Sequence, residues 1–233
     1  MARSQYINTF NTTADYNNYI DSAFPKFPNV ALDKEENKLK IRSQSPNNYQ
    51  IWGTTTLTSN FNVKINNQNV EVTVDTNLGE YYLTGWTGTV IDLTGFMYNY
   101  SASPYLTTIK KIDFDTSNLT TLTQTFLECS AVTYLDLSNF NTSQVTNTVQ
   151  CFRNMGSLRT LDLSGWDLSS VTNHNDMFSS TPLTDIYITV EATLNLLTNN
   201  LSSAGNAYIP STATIHYNNF DYKWQNNAWT LQS

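Results

Sequence analysis

The chain has 233 residues, of which 13% are charged, 13% aromatic and more than a quarter Thr or Asn, and its net charge is −7. The aromatic and β-branched content argues against a disordered chain, and acidity without any Lys/Arg cluster argues against nucleic acid or an anionic membrane as partner. No apolar run reaches the roughly 20 residues of a membrane-spanning helix, and the segment from Met1 to Pro25 holds no secretory-type apolar stretch.

Residues 1–48 read as an N-terminal arm. The stretch ADYNNYIDSAFPKFPNVALDKEENKLKI mixes aromatic and polar residues with two prolines and a charged DKEENK turn. It carries too little periodic apolar sequence for a core of its own. Residues 49–80 read as a β-hairpin: Val63 and Ile65 alternate before the NNQN turn, and Val70, Val72 and Val74 after it. A hairpin there serves as a cap for whatever follows.

Residues 81–188 repeat. LDLSNFNTSQVTN (Leu135 to Asn147) returns as LDLSGWDLSSVTN (Leu161 to Asn173). Stepping back from Leu135 by the same interval reaches an earlier copy, IKKIDFDTSNLTT (Ile109 to Thr121). A weaker first copy sets Leu83, Trp86, Ile91, Met97 and Tyr98 against Leu163, Trp166, Val171, Met177 and Phe178 at one constant offset. Each L-x-L is a period-two strand signal, and the later apolar positions are too irregular for a long helix. One copy cannot bury its own apolar side, whereas stacked copies share an interior, so the period predicts a mainly β solenoid of about four coils.

Residues 189–233 read as a C-terminal cap. ATLNLLTNNLSSAG suggests a short helix, AYIPSTATIHY and KWQNNAWTLQ suggest closing strands, and Tyr217, Tyr222, Trp224 and Trp229 are expected to cover the last coil.

The wording LDLSxF(N/D)TSxVTxxxxMF, carried by LDLSNFNTSQVTN, LDLSGWDLSSVTNHNDMF and IDFDTSNLTTLTQTF, resembles the BspA-like leucine-rich repeats of bacterial surface proteins. FLEC, ending at Cys129, matches that family's Cys segment and implies a buried thiol. Cys129 and Cys151 fall out of phase with the repeat and read as buried free thiols. In the arm, FPKFPNV resembles an element of virion structural proteins of crAss-like Bacteroides phages. That resemblance implies attachment to a particle through Phe24, Phe27, Pro28, Asn29 and Val30, in contact with other virion proteins.

The alternate residues of the strands form an outward strip: Thr108 and Lys110, Tyr134 and Asp136, Thr160 and Asp162, Asp185 and Tyr187. Lys110, Tyr134, Asp136, Asp162, Asp185 and Tyr187 are the candidate binding face, suited to a host-surface glycan or protein. Asp136 and Asp162 stacked about 5 Å apart have the separation of a retaining glycosidase pair, but outward Asp on a repeat reads first as a solvated face. His174 and His216 fit no metal spacing, and the sequence shows no nucleophile elbow, phosphate loop or calcium loop. No cofactor or metal is expected. The reading is a non-enzymatic virion component, a head fibre or decoration, with a trimer the favoured homo-oligomer. The alternative is a cell-surface adhesin.

Overall fold

The computed structural model describes residues 30–33, 38–41, 49–199, 208–225 and 228–232, and it divides into two compact units, Met1–Asn48 and Tyr49–Ser233. In the first unit, strands β1 (Val30–Asp33) and β2 (Lys38–Ile41) pair antiparallel across the DKEENK segment, with Val30 opposite Ile41. The attachment residues Phe24, Phe27, Pro28 and Asn29 lie outside the described residues. Val30 opens β1, so part of the expected extended arm is a two-stranded ladder.

The second unit is mainly β, as its composition predicts, with one short α-helix. Strands β3 (Ile51–Thr55), β4 (Phe61–Ile65), β5 (Gln68–Asp75), β6 (Glu80–Leu83), β7 (Leu106–Ile112) and β8 (Tyr134–Leu135) form one sheet in the order β4-β5-β6-β3-β7-β8. Strands β9 (Thr160–Asp162), β10 (Asp185–Ile188), β11 (Thr214–Tyr217), β12 (Phe220–Gln225) and β13 (Ala228–Leu231) form the other, in reverse chain order. Helix α1 (Glu191–Asn199) lies between β10 and β11 in the chain and buries Leu194, Leu196 and Leu197.

The hairpin expected at NNQN is β4–β5. Its two-residue turn is Asn66-Asn67, both with positive φ (51° and 61°), the combination that matches the twist of paired strands. Asn66 does more than turn the chain. Its side-chain NH2 donates to the Thr89 carbonyl at 2.9 Å, and its Oδ1 accepts the N–H groups of Ile91 and Asp92 at 2.9 and 3.2 Å. The hairpin is thereby tied to the first repeat copy.

The copies lie side by side. Parallel bridges join Asp92 to Thr121, Thr121 to Asn147 and Asn147 to Asn173. Inside, Phe126, Phe152 and Phe178 hold the same place in successive copies and stack, with ring centroids 5.6 Å apart and planes within 11° and 3° of parallel. Phe96 joins this column edge-on at 6.4 Å from Phe126.

Two details differ from the period alone. The link from Asp92 to Thr121 is longer by three than those from Thr121 to Asn147 and from Asn147 to Asn173. The extra three lie between Met97 and Thr108, where Ser103–Tyr105 forms a 3-10 turn around Pro104. The first copy is therefore shifted by one: Val90, not Ile91, takes the interior place, fully buried against 50% exposure for Ile91. Second, the first copy's strand β6 does not lie parallel beside β7. Antiparallel β3 intervenes and pairs with both.

That insertion depends on Gly53. A Cβ there would sit 2.1 Å from the Thr108 carbonyl and 2.4 Å from the Tyr81 hydroxyl, which donates to that carbonyl at 3.0 Å. Only a residue without a side chain admits the two strands and the buried phenol together.

Candidate functional site

Alternation along β10 buries Ile186 and Ile188 and turns Asp185 and Tyr187 outward. Strand register then builds the face. Asp162, Tyr187, His216 and Asp221 form one row across β9–β12, and Thr160, Asp185, Thr214 and Lys223 the next.

His216 is the centre of this face. Its Nε2 lies 2.9 Å from Asp185 Oδ1 and its Nδ1 2.7 Å from Asp221 Oδ1, while its ring stacks on Tyr187 at 4.5 Å and 14°. Partial burial works to lower the imidazole's pKa, but the hydrogen bonds and charges of the two carboxylates outweigh it and hold it above 6.5. Asp185 is pulled below the usual carboxylate range, first by the bond from His216 and then by the Thr184 hydroxyl at 2.8 Å. When protonated, the ring donates from both nitrogens and has no lone pair to offer. In that state it is a cation between two acids, and in either state it joins the last repeat strand to the closing hairpin.

Sequence reasoning assigned Asp185 and Tyr187 to the face but missed His216 and Asp221. The signal was present in YNNF: a two-residue Asn218-Asn219 turn sets His216 opposite Asp221.

The other candidates are placed as follows. Lys110 sits with its ammonium 4.8 Å from the centroid of the Trp52 ring. Tyr134 is 54% exposed on β8. Asp136 Oδ1 accepts the Ser138 N–H and hydroxyl at 3.0 and 2.7 Å, and Asp162 Oδ1 accepts the Ser164 N–H at 2.8 Å. Both Asp side chains thus cap the turn that ends their own strand. The expected continuous strip is divided, because β8 and β9 belong to different sheets: Lys110 and Tyr134 fall on one, with Asp136 directly after β8 and its N–H bonded to the Ile109 carbonyl, and Asp162, Asp185 and Tyr187 on the other. At the break, the Leu137 carbonyl receives the Trp166 indole N–H at 3.4 Å.

Away from the face, Cys129 and Cys151 are free and fully buried, and burial pushes both thiols far above their ordinary range. His174 is buried with both ring nitrogens unpaired among the described residues, and desolvation lowers its pKa. No group of three or more His, Cys, Asp or Glu that could hold a metal occurs among the described residues, and no helix among them is long and apolar enough to cross a membrane.

Residues 82–189, a little under half of the chain, match a family model described as "Mycoplasma protein of unknown function, DUF285". The match coincides with the repeated segment. No curated protein and no solved structure matches the chain.

Proposed function

We propose that this chain is a non-enzymatic display protein of a phage particle, a head fibre or decoration. Residues 1–48 attach it, and the copies form a short BspA-like leucine-rich-repeat solenoid that carries a binding face outward. The observation that carries the reading is the division of labour along the repeat. Apolar positions fill a shared interior and hydroxyls bond from copy to copy, while clustered ionisable and aromatic groups collect at the unrepeated end, around Tyr187, His216, Asp185 and Asp221. A rigid stack with recognition groups at a non-equivalent position is how repeat proteins present a surface to a partner.

Attachment through residues 1–48 is supported by the FPKFPNV resemblance and by charge. That segment has six Lys or Arg against five Asp or Glu, whereas residues 49–233 have six against fourteen. The excess negative charge therefore belongs to residues 49–233, and the near-neutral residues 1–48 meet little repulsion on docking. Homo-oligomeric attachment, with a trimer favoured, follows from particle symmetry.

The resemblance of the copies to the BspA-like repeats of bacterial surface proteins supports a second reading, a bacterial cell-surface adhesin; the family that residues 82–189 match is itself of unknown function. Mass spectrometry of density-purified particles from the source separates the two. Tryptic peptides of this chain at a constant ratio to capsid peptides are expected. Their recovery only from the cell envelope would overturn the particle reading in favour of the adhesin.

A further inference from the structure

The closing sheet runs further than the repeats beneath it. β12 and β13 add two antiparallel strands after the last parallel one, and the cross-strand pair Trp224–Trp229 sits on them. The two rings meet edge to face, 5.8 Å apart at 67°. Both rings are half-buried, Trp229 against the core, and both line an open trough of about 750 Å³. The corner of the last copy at Pro182 and the segment Tyr208–Ser211 line it as well.

The lining is specific in its chemistry. Pro182, Pro210, Trp224 and Trp229 give flat apolar surfaces, and Tyr208 is 53% exposed beside them. Ser180 and Ser211 contribute exposed hydroxyls at the rim. Among the described lining residues there is no Asp, Glu, Lys, Arg or His, although the surrounding body is strongly acidic. An uncharged trough with aromatic walls and a hydroxyl rim matches a ligand whose own surface alternates C–H faces and hydroxyl groups. It offers nothing to pair with a charged one. The volume falls in the range of about 300–1,000 Å³ usual for small-ligand sites.

We infer that this trough is a binding site for a neutral oligosaccharide, with Trp224 and Trp229 as the stacking platform. The site is separate from the Tyr187–His216 face and stands whether or not the chain is carried by a particle.

The test is titration of the full chain with neutral hexasaccharides (gluco-, xylo-, manno- and N-acetylglucosamine series), reading the indole N–H resonances of Trp224 and Trp229 in 1H–15N spectra. At least one series is expected to shift both indoles saturably, with half-saturation on the order of 1 mM. Trp224→Ala is expected to weaken that binding tenfold or more, and so is Ser211→Glu, which places charge and bulk at the exposed rim. If Trp224→Ala loses its folded spectrum, Ser211→Glu alone decides. Three results would overturn the inference: no saturable shift with any neutral series up to about 20 mM; equal response to an anionic polysaccharide; or a concentration-dependent dimer, abolished by Ser211→Glu, which would make the trough a contact between two copies of the chain.

Discussion

Thr142 and Thr146 stand close together in one repeat, and their hydroxyls do different work. Thr142 is buried; its Oγ1 accepts the Asp167 N–H at 2.8 Å and donates to the Asp167 carbonyl at 3.1 Å, joining one copy to the next. Thr116 likewise accepts the Asn141 N–H and donates to the Asn139 carbonyl, and Thr193 accepts the Leu168 N–H and donates to the Trp166 carbonyl. Thr146 is exposed and makes one longer bond, 3.3 Å to the Thr120 carbonyl. Thr142→Val leaves the half-buried Asp167 N–H without its partner and should cost about 1–2 kcal/mol in chemical unfolding, whereas Thr146→Val should stay within about 0.5 kcal/mol. The two histidines also separate. The raised pKa of His216 gives stability that is full below 6.5 and is lost as pH rises through its folded value. The lowered pKa of His174 removes stability as pH falls below 6.5 toward its folded value. Melting temperature should therefore decline on both sides of 6.5. His216→Gln should flatten the alkaline side. His174→Leu should flatten the acid side and raise stability, since Leu122 already fills the equivalent place two copies earlier. Asp185 adds a second acid loss, as pH falls through its depressed value below 3.8. The sequence showed that both histidines lack metal spacing, but not that one is clasped and the other orphaned, because that depends on which strands end up adjacent.

At the scale of elements, the NNQN hairpin was legible because two consecutive Asn between alternating valines is a turn with a mechanism. Its tie to the first copy was not, since a turn residue gives no sign of what its side chain reaches. Asn66→Ala removes three hydrogen bonds and puts a non-Asn residue at positive φ, so a loss of about 1–2 kcal/mol is expected. Asn67→Gly supplies the residue the turn prefers but frees the unfolded chain, so the two effects oppose and the net change should stay within about 0.5 kcal/mol in the same denaturation experiment. The insertion of β3 between β6 and β7 was invisible in the repeat, because Leu83 and Trp86 match the later copies while their strand pairs antiparallel. Gly53 is the one residue that betrays it. Gly53→Ala forces a methyl group against the Thr108 carbonyl and the buried Tyr81 phenol, and its effect should exceed about 3 kcal/mol, visible as loss of the cooperative melt. The one-residue shift from Ile91 to Val90 has the same origin: the interruption at Pro104 lengthens one link, and a period read across it drifts.

For the whole molecule, the interior was more legible than the surface. Phe126, Phe152 and Phe178 could be read as rungs because burial follows period, and each aromatic contact adds about 0.5–1.5 kcal/mol to a column that no single copy could form. Recognition was legible only in part, because it gathers where copies disagree and where unrepeated strands close the stack. The proposal that residues 1–48 attach the chain to the particle can be tested directly by lysine chemistry. Lys26, Lys34, Lys38 and Lys40 lie in the first unit, Lys64, Lys110, Lys111 and Lys223 in the second. Cross-linking mass spectrometry on intact purified particles should join Lys26, Lys34, Lys38 or Lys40 to another virion protein and leave Lys223 without such a link; links from Lys223 with none from the first four would contradict the account.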